Sequence, residues 1–336
     1  MDFFTSIAEV PEGFGPSAVT IGKFDGVHLG HREVIHRLED AARDRDLVST
    51  VVTFDRHPLA IVRPDAVPQP LTSNRQKREF LEDTGVEATL MLTFDAHLQA
   101  LTPDEFVDRI LVETLQAEVV LVGTDFRFGV RGSGSIDTLR ELGRTRGFDV
   151  RIIPDVQIGV DDDTARDDDT ARDHTARDDV PRRVSSSWIR ELLDRGDIDE
   201  AALLLGRAPS VRGVVVHGEQ RGREMGFPTA NLEPHSEGFV PADGIYAGRV
   251  LIDGTLYDAA ISVGNNPTFE GVPEKQVEAH LIDVALDVYG KEVTVFFLKY
   301  LRGNVKYEGM EALVAQIARD VDEIRGILEE TPGGRP

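Results

Sequence analysis

The apolar pattern of this chain changes period once, near residue 211, and that change constrains the fold more than any other feature. Before it, short β-rich runs at 18–21, 49–54, 88–94, 118–122 and 149–153 alternate with helical stretches at 32–45, 74–83 and 103–116. The first of these helices carries Val34, Ile35, Leu38, Ala41 and Ala42 at helical spacing. The third opens on a capping box, Thr102 with Glu105 three residues on. Strand–helix alternation with short loops predicts a parallel, doubly wound sheet. After residue 211 the runs VRGVVVHG, IYAGRVLI, TLYDAAISVG, QVEAHLIDV and EVTVFFLKYL read as strands with no helix between them. Asp253-Gly254 is a hairpin turn signal between two of them. This half is expected to be an antiparallel sheet closed into a small barrel. Met310, Leu313, Val314, Ile317, Val321, Ile324 and Leu328 form one face of a last helix that should pack on it.

Two segments lie between these halves. Residues 161–179, DDDTARDDDTARDHTARDD, repeat TARD three times and hold nine Asp against three Arg. So few apolar residues cannot offset the entropy of ordering, and a disordered acidic insertion over about 159–181 is expected. Its alternative reading is a metal- or partner-binding acidic tail. Order resumes at 184–197, VSSSWIRELLDRGD, where a serine run precedes Trp188, Ile189, Leu192 and Leu193 and Gly196 supplies a stop. A short helix over 198–205 then ends at Gly206.

Composition narrows the function classes. The 336 residues leave room for two domains, and their formal charge of −23 opposes binding to nucleic acid or an anionic membrane. With no cysteine, disulfide and thiolate chemistry are excluded. No apolar run approaches a membrane span, and the start MDFFTSIAEVPEG lacks a basic lead into an apolar stretch. A soluble, cytoplasmic protein is expected, a monomer or weak homo-oligomer with small-molecule partners.

Chemistry concentrates in two stretches. GKFDGVHLGH, 22–31, stands where a strand turns into a helix. There Gly22 and Gly30 permit close backbone approach, the helix N-terminus offers N–H groups to phosphate, and His28 and His31 can donate to its oxygens. A metal site is the alternative, although no third ligand has an obvious spacing. In the second half, HGEQRGREMGFPTANL, 217–232, is a loop punctuated by Gly218, Gly222 and Gly226, with Arg221 and Arg223 adding charge. Exposed N–H groups in such a loop can wrap a polyphosphate. Thr229 and Asn231, two apart in an extended segment, point the same way and could share a divalent ion. Glu278 sits in a β run, where a carboxylate is commonly just solvent-facing.

GKFDGVHLGH resembles the HxGH signature of the nucleotidylyltransferase superfamily, in the form found in bacterial FAD synthetases. SSSWIR at 185–190 resembles the second signature of that superfamily, VGTDFRFG at 122–129 its nucleotide and flavin segment, and TFDRHP at 53–58 its flavin-side loop. GRxxGFPTAN, PADGIYAG, ISVGNNPTF, VEAHLID, VYGK and the Leu301-Arg302 pair resemble the bacterial riboflavin kinase domain. Departures are Ser187 for Thr, Arg56 for Pro and Ala279 for Thr. The resemblance implies a Rossmann-like adenylyltransferase domain over 1–195, a connecting helix over 196–208 and a flavokinase β-barrel over 209–336. It implies a bifunctional enzyme that phosphorylates riboflavin to FMN and adenylylates FMN to FAD. His28 and His31 would stabilise the transferring α-phosphate. Gly22, Phe24, Asp25, Gly30, Asp125, Phe128, Ser185, Ser186 and Arg190 would line the ATP and flavin sites. In the barrel, Glu278 would be the general base, Thr229 and Asn231 would hold Mg²⁺, Gly222, Arg223 and Gly226 would cradle ATP, and Arg302 would close over the flavin.

Overall fold

A computed structural model describes residues 1–158, 181–218, 222, 225–265 and 275–331. The acidic repeat, Arg221 and Arg223 lie outside the described residues, as do residues 266–269 of ISVGNNPTF. The chain divides into two compact units, one of residues 1–67 and 80–185, the other of residues 68–79 and 186–336. Compactness thus groups the helical segment from Ser186 with the barrel half, a division different from the sequence ranges 1–195 and 209–336.

The first unit is built on six strands: β1 (Asp2–Phe4), β2 (Ser17–Ile21), β3 (Val48–Phe54), β4 (Ala88–Leu92), β5 (Ala117–Gly123) and β6 (Asp149–Ile153). They run in the order β1-β4-β3-β2-β5-β6, every neighbouring pair parallel. Helices α1 (Leu29–Arg43), α2 (Leu59–Val62), α4 (Ala96–Ala100), α5 (Pro103–Phe106) and α6 (Ile136–Arg146) interleave with them, and α3 (Asn74–Glu82) has residues in both units. Both β2 and β4 are buried along their whole length, which is why their sequences read as continuous apolar or Thr/Ser runs rather than alternating ones. One face of the sheet packs Ala18, Val51, Val119 and Leu121 against Ile35, Leu38, Ala41 and Ala42 of α1. The other packs Val19, Val52, Leu90 and Val120 against Val107, Ile110, Leu111, Leu139 and Leu142.

Two local differences from expectation have physical causes. The first helix begins at Leu29 rather than residue 32, because His28 itself is its N-cap. The expected helix over 103–116 starts as α5 behind its Thr102–Glu105 capping box and then widens to a π-helix over Val107–Thr114. There the Thr114 hydroxyl donates to the carbonyl of Arg109, five residues back, at 2.6 Å. Apolar spacing does not distinguish these windings, since Val107, Ile110 and Leu111 stay on the sheet in this one.

The strand order reverses between β2 and β5, so the crevice outside their carboxyl ends is the switch point where ligands bind in open α/β sheets. Ile21 leads directly into GKFDGVHLGH and Gly123 directly into TDFRFG. Further on, β7 (Gln157–Ile158) pairs antiparallel with β8 (Arg182–Arg183), Ile158 opposite Arg182.

The second unit holds α7 (Ser186–Arg195), α8 (Ile198–Leu205) and six strands: β9 (Ser210–Val216), β10 (Ala230–Leu232), β11 (Gly244–Ile252), β12 (Thr255–Asn265), β13 (Lys275–Leu281) and β14 (Glu292–Arg302). They close a barrel in the order β10-β13-β12-β11-β14-β9, all pairs antiparallel. Asp253 and Gly254 turn the β11–β12 hairpin with φ of 50° and 83°, the pair of positive values a type I′ turn needs. Helix α9 (Met310–Glu330) lays Val321, Ile324 and Leu328 on Ala247 and Ile282 of the barrel unit. Each such side chain, fully buried, contributes about 1.5–3 kcal/mol. Residues 68–79 join this unit through bidentate pairs, Arg75 on Glu292 at 2.7 and 2.8 Å and Arg212 on Glu79 at 2.8 and 2.7 Å.

Candidate active sites

In the first unit the turn after β2 is held open by unusual backbone. Phe24, Gly26 and Val27 all have positive φ, 47°, 83° and 39°. For a β-branched residue that conformation costs of order 1–3 kcal/mol and persists only where the surroundings enforce it. Val27 is fully buried, and Phe24, 2% exposed, packs in the core under α1. Phe24 is thus placed beneath the turn, with its ring 5.0 Å from that of His31. Gly22 donates its N–H to Val52, and Thr53 donates its hydroxyl to the Lys23 carbonyl, tying the turn to β3.

His28 is 5% exposed and its Nδ1 accepts the His31 amide at 3.4 Å. An accepting Nδ1 carries no proton, so the neutral ring carries it on Nε2. The His28 and His31 rings stack, 3.7 Å apart and 15° from parallel. Glycine at 30 is what allows this, because a Cβ there would stand 3.2 Å from two atoms of the His28 ring. It would also lie 3.6 Å from the Val184 carbonyl, so the chain entering Ser185 passes this same turn. Asp25 and Ser185 are half-buried.

The β5 segment contributes Asp125 and Phe128. Phe128 is a core residue, 6% exposed and stacked on Phe126. Asp125 is exposed and takes two bonds from Arg183, at 2.9 and 3.4 Å. That guanidinium holds the Asp125 carboxyl below the ordinary aspartate range. Arg183 also reaches Asp155 at 3.2 Å. Sequence reading did not single out Arg183 or Lys23, although Lys23 Nζ lies 3.3 Å from His57 of TFDRHP. In that loop Arg56 pairs with Asp55 at 2.8 Å. Ser186 and Arg190 belong to α7 in the second unit, where Arg190 donates to the Gln69 carbonyl at 2.6 Å.

In the barrel, the register sets Asn231 of β10 opposite Glu278 of β13. Thr229 lies one residue before β10, and its hydroxyl is 3.4 Å from Glu278 Oε2. Asn231, 7% exposed, donates from Nδ2 to the Thr229 carbonyl and hydroxyl, 3.3 Å each. Three oxygen-bearing groups therefore converge, the hard donor set that suits Mg²⁺. Gly218 makes room for them: a Cβ there would sit 2.6 to 2.8 Å from the Asn231 amide. The Phe227 amide donates to the Gly222 carbonyl at 2.8 Å, closing the glycine-rich loop, and Gly226 is exposed.

Sequence reading missed two neighbours of Glu278. Gln276 donates to Asn231 Oδ1 at 3.4 Å, and His280 Nδ1 is 2.9 Å from the Pro228 carbonyl. Strand alternation could have found both, as residues two before and two after Glu278 share its face. Arg302, at the end of β14, is placed on α9. It grips the carboxylate of Asp320 through Nε and Nη2, with Nε at 2.9 Å, and gives Nη1 to the Gly303 carbonyl. Asp320, 5% exposed, also accepts from Gln316 at 2.8 Å.

Comparison with known proteins assigns these two units. The FAD synthetase family model matches residues 11–163, and the riboflavin kinase family model matches residues 205–328. A bifunctional riboflavin kinase/FMN adenylyltransferase of Escherichia coli is 35% identical over 304 residues, covering 90% of each chain. One from Bacillus subtilis is 32% identical, covering 94% of this chain and 93% of its own. A crystal structure described as a macrolide-efflux protein from Streptococcus pneumoniae superposes with a TM-score of 0.80 at 29% identity, covering 96% of this chain and 98% of that one. Two domain matches in order, with identity above 30% over nine-tenths of the length, place this chain in the family of bifunctional riboflavin kinase/FMN adenylyltransferases.

Proposed function

We propose that the chain makes FMN and then FAD at two separate sites, one in each half. The supporting observation is that His28, His31 and Ser185 gather within the first unit while Thr229, Asn231 and Glu278 gather within the second.

In the barrel site the riboflavin 5′-hydroxyl attacks the γ-phosphorus of ATP. A phosphorus–oxygen bond forms, the bond to the β-bridging oxygen breaks, and ADP leaves. Glu278 accepts the hydroxyl proton. Thr229 and Asn231 hold the phosphates and a divalent cation, expected to be Mg²⁺, which when bound neutralises phosphate charge. Gly222, Arg223 and Gly226 supply the loop that follows the polyphosphate, and Arg302, fixed by Asp320, is the cation at the flavin end.

In the first site the FMN phosphate is itself the nucleophile. Its oxygen bonds to the α-phosphorus of ATP and pyrophosphate leaves, so positioning and charge neutralisation suffice. His28 presents Nε2–H and His31 its ring to the α-phosphate. Ser185 takes the departing β- and γ-phosphates, and Asp25, Asp125 and the Gly22 and Gly30 backbone border the nucleotide and flavin. Phe24 and Phe128 act from beneath, as supports for the turn and for the DFRFG segment. The functional domains then follow the sequence ranges 1–195 and 209–336, with 196–208 connecting them. Small molecules are the partners, and no helix among the described residues is long and apolar enough to cross a membrane.

The test is a time course with riboflavin, ATP and Mg²⁺. FMN should rise first and FAD follow. Riboflavin left unchanged, with supplied FMN also unchanged, would overturn the reading.

A further inference from the structure

The face of β13 that carries Glu278 carries more than a general base. Gln276, Glu278 and His280 alternate with Val277 and Ala279, which are buried in the barrel at 2% and 0% exposure. All three outward side chains reach the Pro228–Asn231 segment. Across β13, Ser262 of β12 is the register partner of Glu278.

The bonds have a direction. Gln276 Nε2–H donates to Asn231 Oδ1 at 3.4 Å. The Asn231 oxygen is thereby turned toward β13, and its Nδ2–H donates to Thr229 Oγ1 at 3.3 Å. With its lone pair occupied, the Thr229 hydroxyl sends its own proton to Glu278 Oε2 at 3.4 Å. An amide has distinct donor and acceptor ends, so reversing Asn231 would reverse every later link.

We propose that Gln276 is a positioning residue of the kinase site: acting through Asn231, it fixes the amide orientation that makes Thr229 donate to Glu278. The effect on the base is to keep one hydroxyl donor on Glu278 Oε2, so that the carboxylate is held in a single orientation. Loss of Gln276 lets Asn231 present Nδ2–H where its oxygen stood, and Thr229 then has an acceptor in Asn231 that competes with Glu278. This inference rests on the kinase reading of the barrel given above.

The test is a mutant cycle on riboflavin phosphorylation in the full chain. Gln276→Ala should lower kcat about fivefold to tenfold, the scale of one hydrogen bond, with KM for riboflavin nearly unchanged. Gln276→Glu keeps the shape but has no N–H, and should lose at least as much. In the Asn231→Asp background the two carboxylate oxygens are equivalent and nothing remains to orient. There Gln276→Ala should cost nothing further, because effects through one shared partner do not add. A circular dichroism spectrum and a thermal unfolding profile matching wild type show that the barrel of each variant is folded. An unchanged kcat in Gln276→Ala, or the same loss repeated in the Asn231→Asp background, would overturn the inference while leaving the kinase reading standing. A wild-type chain that does not phosphorylate riboflavin would overturn both.

Discussion

His28 accepts the amide of His31 on Nδ1 and lies ring on ring with it, the centroids 3.7 Å apart. One side chain therefore caps α1 and, in the proposed first site, would also donate to the transferring phosphate. The two roles are separable. Asparagine keeps a capping oxygen and alanine does not, so His28→Ala should destabilise the first unit by about 1 kcal/mol more than His28→Asn does. Both should lower FAD formation by about 10²–10³, the scale of one removed transition-state donor. Thermal unfolding beside the FMN-to-FAD rate measures the pair.

Gly218 lies beneath the Asn231 amide with no space for a methyl group. Its φ is not among the positive values, so alanine is tolerated by the backbone and the contact alone decides the outcome. Gly218→Ala should displace Asn231 and lower riboflavin phosphorylation by about tenfold, roughly one good hydrogen bond. FAD formation from supplied FMN should be unchanged.

Arg212 holds the Glu79 carboxyl below the ordinary glutamate value of 4.5, against the opposing effect of burial. A depressed folded-state pKa stabilises the folded chain above the unfolded value, and that stability is lost as pH falls through the folded one. Glu79 is 40% exposed, so solvent screening limits the pair to about 1 kcal/mol or less. Glu79→Gln should therefore be less stable than wild type at pH 7, and the gap should close as pH drops below 4.5. Denaturation midpoints of both proteins across that window measure it.

Strands β7 and β8 pair antiparallel in the sheet unit, with Ile158 opposite Arg182. A two-residue turn can join such an antiparallel pair. Substituting an Asn-Gly turn for residues 159–181 should leave both rates within about twofold, since loop length changes closure entropy only slowly. Steady-state assays of the shortened chain check this, and a large loss would give the acidic repeat a working role.

The legibility of these features in sequence follows from how local their causes are. The Asp253-Gly254 hairpin and the Thr102–Glu105 box were readable because turn and cap chemistry depend on adjacent residues. The switch-point placement of GKFDGVHLGH followed from strand–helix alternation. The three-residue β1 and four-residue α2 carried no periodic signal, being too short to show one. Arg183 on Asp125 joins residues 58 apart in sequence, and Arg302 on Asp320 joins a strand end to a helix. Such pairs depend on the folded arrangement and leave no local mark in the sequence. Gln276 was visible in principle, two residues from Glu278, but only once β13 was known to lie beside Asn231.

If two independent sites share one chain, reciprocal variants should separate the two reactions. Glu278→Gln and His28→Asn should each be assayed with riboflavin plus ATP and with FMN plus ATP. Glu278→Gln should lose FMN formation by about 10²–10⁴, as expected for a general base, yet convert supplied FMN to FAD at the wild-type rate. His28→Asn should form FMN normally and fail to make FAD. If either folded variant lost both activities together, the two reactions would share a site and the two-site reading would be contradicted.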